Sequence, residues 1–357
     1  MSQRLESNFL NSIRSEATRK CYQFYFNKYR EFAHGNVIDD RLIVENQIVD
    51  FLLSLKKRGL VSKSVKAYFV AIVHYYIMND IVLNKKKIIK FIDTDERKKN
   101  KNAAYTTEQI HKLLDVCDER MRAVILIYAS SGIRHAALPA LKIGDLKFLH
   151  DQGLYQITVY SGYKEEYITF CTPECAKVIF SYLTYRVRSG ETILNQDAPL
   201  IREQFNALDT FRVKHPQHIS LKTISKILRQ KSIQAGLITS NHTGNKRGAL
   251  SKNRKDIPLI HGFRKFFNTA LMNADVNLSF KELLMGHSVK LDDVYYDKNS
   301  EKSRNKLLEE YSKAIDYLTI NEENRLKKKV EELTVRADKM QQLKNEIDEL
   351  RSLVVRP

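Results

Sequence analysis

HGFRKFFNTALMNADVNLSFKELLMGHSVKLDDVYY, residues 261–296, is the stretch on which the reading of this chain turns. His261 and Arg264 stand three residues apart at the head of an apolar helix that continues from Phe266 to Met272. Helical character extends to about residue 285, and Gly286-His287 follows. Tyr295 and Tyr296 come next, the second of them nine residues past His287. Each feature alone is ordinary, since a lone histidine is more often structural than reactive and short motifs recur by chance. Their order over so short a span is what carries information.

Upstream of this stretch, residues 240–256 (SNHTGNKRGALSKNRKD) read as a basic loop with Lys246 and Arg247 near its centre. Helices are expected at 221–235 and from about 173. Between 153 and 170 the period changes. Tyr155–Tyr160 and Tyr167–Phe170 alternate and are rich in β-branched and aromatic residues, which predicts a hairpin or small sheet around the turn Ser161-Gly162-Tyr163-Lys164. Residues 105–146 read as helical, starting at Thr106-Thr107-Glu108-Gln109 with an acidic first turn and burying Met121–Ala129. Within them Ser130-Ser131-Gly132-Ile133-Arg134 sits where a helix ends.

Residues 93–104 (DTDERKKNKNAA) are polar and read as a linker carrying Arg97, Lys98, Lys99 and Lys101. Residues 1–92 read as a separate helical domain. Tyr22, Phe26, Tyr29 and Phe32 form one stripe. Val44, Ile48, Phe51, Leu52 and Leu55 form a second, stopped by Gly59, and Val65, Phe69, Ile72 and Tyr76 form a third. Most of these stripe residues are expected to be core. Arg19, Lys20, Lys63 and Lys66 between them are candidate phosphate contacts or an ordinary solvated face. The tail, 321–357, repeats apolar residues in steps of four and three (Leu326, Val330, Leu333, Ala337, Met340) and resumes at Leu343, Ile347, Leu350 and Val354. That spacing predicts a coiled coil or a long amphipathic helix, with a stammer between the two runs.

The fold class that follows is mainly α with a small β-sheet (α+β). It has a helical domain over 1–92, a linker over 93–104, a mixed domain over 105–320 and a tail over 321–357. The net charge of +18 and pI near 9.5 favour a polyanionic partner through counterion release, either nucleic acid or an anionic membrane surface. The chain shows no apolar run of membrane-spanning length and its start is no signal peptide, so an intracellular, cytoplasmic protein is expected. Cys171 and Cys175 lie four apart with no second pair at zinc-finger spacing, so no metal or other cofactor is expected and the thiols read as small apolar residues.

Arg134, Lys164, His261, Arg264, His287 and Tyr296 suit one chemistry in combination. Cutting DNA and resealing it without a high-energy cofactor requires a stored bond, which a protein nucleophile can conserve as a covalent intermediate. Phenol is a better leaving group than an alkoxide, so a tyrosine link is reversible. Two guanidinium forks can hold non-bridging phosphate oxygens bidentately and stay charged throughout. A lysine can protonate the departing 5′ oxygen, and a histidine can take the tyrosine proton.

Here the resemblance to the tyrosine recombinases of the phage-integrase type becomes specific. His261-Gly262-Phe263-Arg264 resembles their H-x-x-R box, and Leu283-Leu284-Met285-Gly286-His287-Ser288 is similar to their L-L-G-H-S box. Ser130-Ser131-Gly132-Ile133-Arg134 resembles the T/S-G-x-R box, followed by the L-x-L-x-x-x-D-I-like LPALKIGDL at 138–146. The resemblance covers about residues 105–300 and implies roles. Arg134 and Arg264 would clamp the scissile phosphate and Lys164 would act as general acid. His261 would assist proton transfer, His287 would hydrogen-bond the phosphate, and Tyr296 would attack, its spacing favouring it over Tyr295. It also implies a C-shaped clamp on duplex DNA, homotetramers bridging two duplexes, and residues 297–320 as a segment that docks on a neighbouring subunit. Two departures stand out: Ala137 occupies a position that is usually acidic, and the hairpin turn lacks G-K-G.

Several functions compete. The leading one is integration or excision of a mobile element or virus, with Xer-like resolution of chromosome dimers as its neighbour. A type IB topoisomerase shares the chemistry, but Gly286-His287-Ser288 is integrase-like. A relative that binds DNA without cutting it and a structural coiled-coil protein with basic heads are the non-enzymatic alternatives.

Overall fold

The computed structural model describes residues 2–34, 40–92, 103–191, 195–238, 259–287 and 300–321, with further single positions between 330 and 347. The chain divides into two compact units, with the break between residues 100 and 101.

The first unit is helical. It comprises α1 (Ser2–Asn11), α2 (Glu16–Phe32), α3 (Arg41–Lys57), α4 (Ser62–Ile77) and α5 (Lys85–Ile92). Phe26 and Tyr29 of the first expected stripe are buried, whereas Phe32 lies at the rim. All of Val44, Ile48, Phe51, Leu52, Leu55, Val65, Phe69, Ile72 and Tyr76 are buried, joined by Phe9 from α1. Aromatic rings dominate this core: Phe26 stacks on Tyr75 at 3.9 Å, and the Tyr29 hydroxyl donates to Gln47 Oε1 at 2.7 Å. Gly59, at φ 85°, lets the chain turn out of α3, with the Leu60 N–H reaching back to the Leu55 carbonyl. Glu45, almost fully buried on α3, accepts the Asn84 N–H at 2.7 Å and so anchors the approach to α5.

The second unit is built around α7 (Glu119–Ser131), buried on nearly every side from Met121 to Ser131. It packs on α8 (Pro173–Arg188) and α11 (His261–Asn273). Before it runs α6 (Thr107–Asp115), opened by a capping box in which Thr106 and Gln109 satisfy each other's backbone N–H groups. After α8 come the single turn α9 (Thr210–Lys214) and α10 (Leu221–Gln234), and after α11 come α12 (Leu278–Leu284), α13 (Glu301–Ser312) and α14 (Ile315–Leu318). A three-stranded antiparallel sheet, order β1-β2-β3, joins β1 (Leu146–Leu149), β2 (Leu154–Val159) and β3 (Tyr167–Phe170). The β2–β3 register pairs Val159 with Tyr167 and Ile157 with Thr169.

Three expectations are corrected here. Residues 105–146 are not helical throughout: Pro139 falls in a 3₁₀ segment, His135–Ala140, and the chain then becomes strand β1. The hairpin turn spans Tyr160–Glu166, longer than Ser161–Lys164, because Tyr160 itself leaves the strand at φ 58°. Residues 300–320, the described part of the segment expected to dock on a neighbour, instead complete their own unit. Leu307, Tyr311, Ala314, Ile315, Leu318 and Ile320 are buried in its core, and the N–H groups of Ile320 and Asn321 donate to the Glu174 carboxylate at 2.8 and 3.1 Å.

A buried Arg186–Glu191–Arg202 triad ties α8 to the following chain: Arg186 Nε donates to Glu191 Oε2 at 2.9 Å and Arg202 Nη1 to the same oxygen at 2.5 Å. In the tail, Val330, Leu333, Met340, Leu343 and Ile347 are helical and exposed.

Candidate active site

The site forms where two helices end. α7 stops at Gly132, whose φ of 60° is left-handed and whose N–H caps Tyr128. A Cβ at this position would lie 2.2 Å from the Phe267 ring of α11, so only glycine allows both the turn and the close approach. α12 ends in the same way. Gly286, at φ 62°, faces the Tyr167 ring of β3, and a Cβ would lie 2.4 Å from it. The His287 N–H reaches back to the Glu282 carbonyl at 2.9 Å, closing a Schellman turn.

Helix ends leave carbonyls without partners, and side chains meet them here. The Tyr311 hydroxyl donates to Ser130 O at 2.8 Å, and Thr169 Oγ1 donates to Ser131 O at 3.1 Å. Arg264 takes the next carbonyl, Gly132 O, with Nη1. Its Nη2 donates to Met285 O at 2.6 Å, and Arg134 Nη2 donates to Gly286 O at 2.6 Å. Arg134 therefore rests on a carbonyl of the Gly286 box, and Arg264 on carbonyls of both glycine boxes. The partial negative charge at both helix C-termini favours the two guanidiniums, which would otherwise repel each other. Burial, followed by the like charge of Arg134, pulls the Arg264 pKa below that of an ordinary arginine, and Tyr167 opposes this. Arg134 holds one described bond, which leaves its other N–H groups for an anion. Gly286 O supplies the support for Arg134 that the buried Ala137 cannot.

Arg264 is delivered by α11, whose Phe263, Phe266, Phe267, Ala270 and Leu271 form the buried stripe. The helix start is pinned by Tyr105: its ring stacks on Phe263 at 4.4 Å and its hydroxyl donates to Leu259 O at 3.0 Å. His261, the first residue of α11, is exposed one turn from Arg264. Burial, then the charges of Lys265 and Arg264, lower its pKa.

His287 closes the cluster. Arg264 Nη2 lies 2.7 Å from His287 Nε2, and His287 Nδ1 lies 2.5 Å from Glu282 Oε2. A guanidinium has donors only, so Nε2 must accept and Nδ1 carries the proton toward Glu282. Burial alone would raise the Glu282 carboxyl, but the hydrogen bond from His287 and the charge of Lys281 hold it below its usual value. Burial pushes the Tyr167 phenol up, while Arg264 and Arg134 pull it down.

The structure thus brings Arg134, Arg264 and His287 together. Lys164 is exposed in the Tyr160–Glu166 turn, where the Glu166 carboxylate accepts the Gly162 N–H at 2.6 Å. Tyr295 and Tyr296 lie outside the described residues, as do Arg97, Lys98, Lys99, Lys101, Lys246 and Arg247. On the first unit, Lys63 and Lys66 are exposed on α4 and Lys20 pairs with Glu16 at 2.6 Å. Arg19 is half-buried and donates to Ile13 O at 2.9 Å. Glu282 and Tyr167 were missed by sequence reasoning. Glu282 is five residues before His287 on a helix, and that spacing was its one visible signal.

Residues 104–302 match the family model described as the phage integrase family. The chain belongs to that family. It is a tyrosine recombinase by membership, and its fold agrees. Similar solved structures include XerH site-specific recombinase bound to difH substrate (TM-score 0.52, 17% identity, covering 81% of this chain and 78% of that one). A lambda integrase dimer bound to a COC′ core site is similar at TM-score 0.54 and 13% identity, covering 84% and 77% of the two chains. The Tn1549 transposon integrase in complex with transposon right-end DNA is similar at TM-score 0.55 and 13% identity, covering 85% and 98%. At these identities the likeness is one of fold. Among curated proteins, none matches this integrase-family chain. Among the described residues no helix is long and apolar enough to cross a membrane.

Proposed function

We propose that this chain is a site-specific DNA recombinase that cleaves and rejoins DNA strands through a covalent 3′-phosphotyrosine at Tyr296. The observation that carries the reading is the crossed seating of Arg134 on Gly286 and of Arg264 on Gly132, with His287 against Arg264. It presents two pre-oriented guanidiniums to one anion. Removing one such donor typically costs on the order of 10²–10³ in rate.

In this mechanism the guanidiniums hold the non-bridging oxygens of the scissile phosphate. The Tyr296 oxygen attacks phosphorus while His261 takes its proton. The 5′ oxygen leaves with a proton from Lys164 of the β2–β3 turn. The phosphodiester energy is kept in the new bond, so neither metal nor nucleotide is needed. Resealing is the same path reversed, with a different 5′ hydroxyl attacking.

The residues 1–92 unit and the catalytic unit each contact duplex DNA. Arg19, Lys20, Lys63, Lys66, Arg97, Lys98, Lys99, Lys101, Lys246 and Arg247 supply phosphate contacts whose strength falls with salt. The working assembly is a homotetramer on DNA inside the cell. The exposed apolar stripe Val330, Leu333, Met340, Leu343 and Ile347 supports pairing of the tail with a second copy as a coiled coil. Because of this tail, integration and excision of a mobile element is favoured over Xer-like dimer resolution.

The test is a nicked-duplex trapping assay on native-genome fragments, with wild type, Tyr296→Phe and Tyr295→Phe run on a denaturing gel. A covalent band in wild type and Tyr295→Phe, lost in Tyr296→Phe, is expected. Loss only in Tyr295→Phe moves the nucleophile by one residue. A protein that binds the fragments yet forms no adduct is a DNA-binding relative instead.

A further inference from the structure

Glu282 plays no part in the mechanism above, yet it is the carboxylate that meets a residue of the cluster. Its Oε2 lies 2.5 Å from His287 Nδ1 and its Oε1 lies 3.5 Å from Lys281 Nζ. α12 and its Schellman turn hold the pair rigidly: the His287 N–H is bonded to the Glu282 carbonyl at 2.9 Å, so acid and imidazole are tied through backbone and side chain alike. On its other nitrogen the imidazole accepts from Arg264.

This arrangement creates a requirement. A phosphate oxygen only accepts hydrogen bonds. If it replaces Arg264 opposite Nε2, that nitrogen must carry a proton, and Nδ1 already has one. His287 must then be an imidazolium, with the second proton taken from solvent. The charged groups facing it are mostly hostile to that state. Arg264 comes from α11, Arg134 from the residue that precedes the 3₁₀ segment, and Lys281 from α12. Tyr167 of β3 packs against Gly286, and Glu310 of α13 is engaged at the far end of α12, accepting the Asn277 N–H at 2.9 Å. Glu282 is the negative charge in contact with the ring.

We infer that Glu282 is the positioning residue of His287: it fixes the ring with its proton on Nδ1 and supplies the charge that lets Nε2 donate to the bound phosphate. The inference rests on the recombinase reading for its second half. A carboxylate behind a working imidazole is a recurring device, because it sets tautomer, orientation and basicity at once.

Glu282→Gln separates charge from orientation, since the amide oxygen can still accept from Nδ1. Glu282→Ala removes both. The first readout needs no DNA: ¹⁵N-histidine NMR of the full chain, with the His287 signal assigned by its loss in His287→Asn. Wild type is expected to show the Nδ1-protonated tautomer. Glu282→Gln should keep that tautomer but take up its second proton at a pH lower by about 1 unit or more, as expected on losing an opposite charge at contact distance. Glu282→Ala should lose the tautomer preference. An unshifted titration in Glu282→Gln overturns the inference.

The second readout is the pH profile of adduct formation on nicked duplex, beside fragment binding. The alkaline limb should move to lower pH in Glu282→Gln, and Glu282→Ala should lose on the order of 10-fold or more in rate. An active wild type with a Glu282→Gln profile identical to its own overturns the role at phosphate. A wild type that forms no adduct defeats the recombinase reading, and the NMR titration then decides the Glu282–His287 coupling by itself.

Discussion

Replacing Gly132 by alanine tests the geometry on which both arginines depend. Two costs add at this position. An L-residue at φ 60° carries left-handed strain of about 1–2 kcal/mol. The new methyl would also lie 2.2 Å from Phe267 Cδ1, so the ring or α11 must shift, which costs about 1–3 kcal/mol in a packed core. The sum is about 2–5 kcal/mol, less than the roughly 5–15 kcal/mol that holds a typical domain together, so the variant still folds. Gly153→Ala is an internal control. Its φ of 63° is nearly the same, but a Cβ there meets nothing within 4 Å. Gly153→Ala should therefore show the strain alone. By thermal unfolding of the full chain, Gly132→Ala should lower the Tm of the catalytic unit by roughly 4–20 °C and Gly153→Ala by about 2–8 °C. Adduct formation should separate them further. Phe267 and Arg264 share α11, and Gly132 O is a partner of Arg264, so a shift there misplaces the guanidinium. A displacement on the order of 1 Å can cost about 10²-fold in rate, whereas Gly153→Ala should cleave as wild type does. Equal stabilities and equal cleavage in the two variants would refute the close-approach argument.

Three further outcomes follow from the same structure. Glu191→Ala strands Arg186 and Arg202 in the core and should cost about 3–5 kcal/mol by chemical denaturation; a loss near zero would mean the triad is not buried in solution. Burial would raise the Glu191 carboxyl, but its two arginines win and hold it low, so this stabilisation is full above about pH 4.3 and disappears as pH falls through the depressed value. His261 serves as a base only when neutral, and its pKa is lowered, so the acid limb of adduct formation should lie below the ordinary ~6.5; a limb above that value, or one that survives in His261→Ala, would remove His261 from proton transfer. Deleting residues 321–357 should weaken self-association in sedimentation while single-site cleavage persists, and an unchanged sedimentation profile would sink the coiled-coil assignment.

Much of this was legible in the primary structure. The helical stripes of α3 and α4 repeat with the helix period, and the period is set locally by which side chains share a face. The strands β2 and β3 showed through their alternation, and α6 through its capping residues. Of the residues whose order pointed to phosphoryl transfer on DNA, Arg134, Arg264 and His287 meet in the structure. β1 was not legible: LKFL is too short to declare a period, and it becomes a strand because β2 pairs with it. The 3₁₀ segment at Pro139 interrupted an apolar run that reads equally well as helix.

What the tertiary structure alone decided is partnership across long sequence separations. That Arg134 rests on Gly286 and Arg264 on Gly132 could not be read from either box, because a carbonyl leaves no mark in composition. The two glycines were visible as motif letters, but their reason is the rings of Phe267 and Tyr167, which approach only after α11 and β3 have packed. The fate of residues 300–320 was decided in the same way. An amphipathic segment has an apolar face whichever core it enters, and here Tyr311 reaches Ser130 of its own α7. Local sequence determines which faces are apolar and which side chains carry charge; which face meets which helix end depends on close packing of the whole unit.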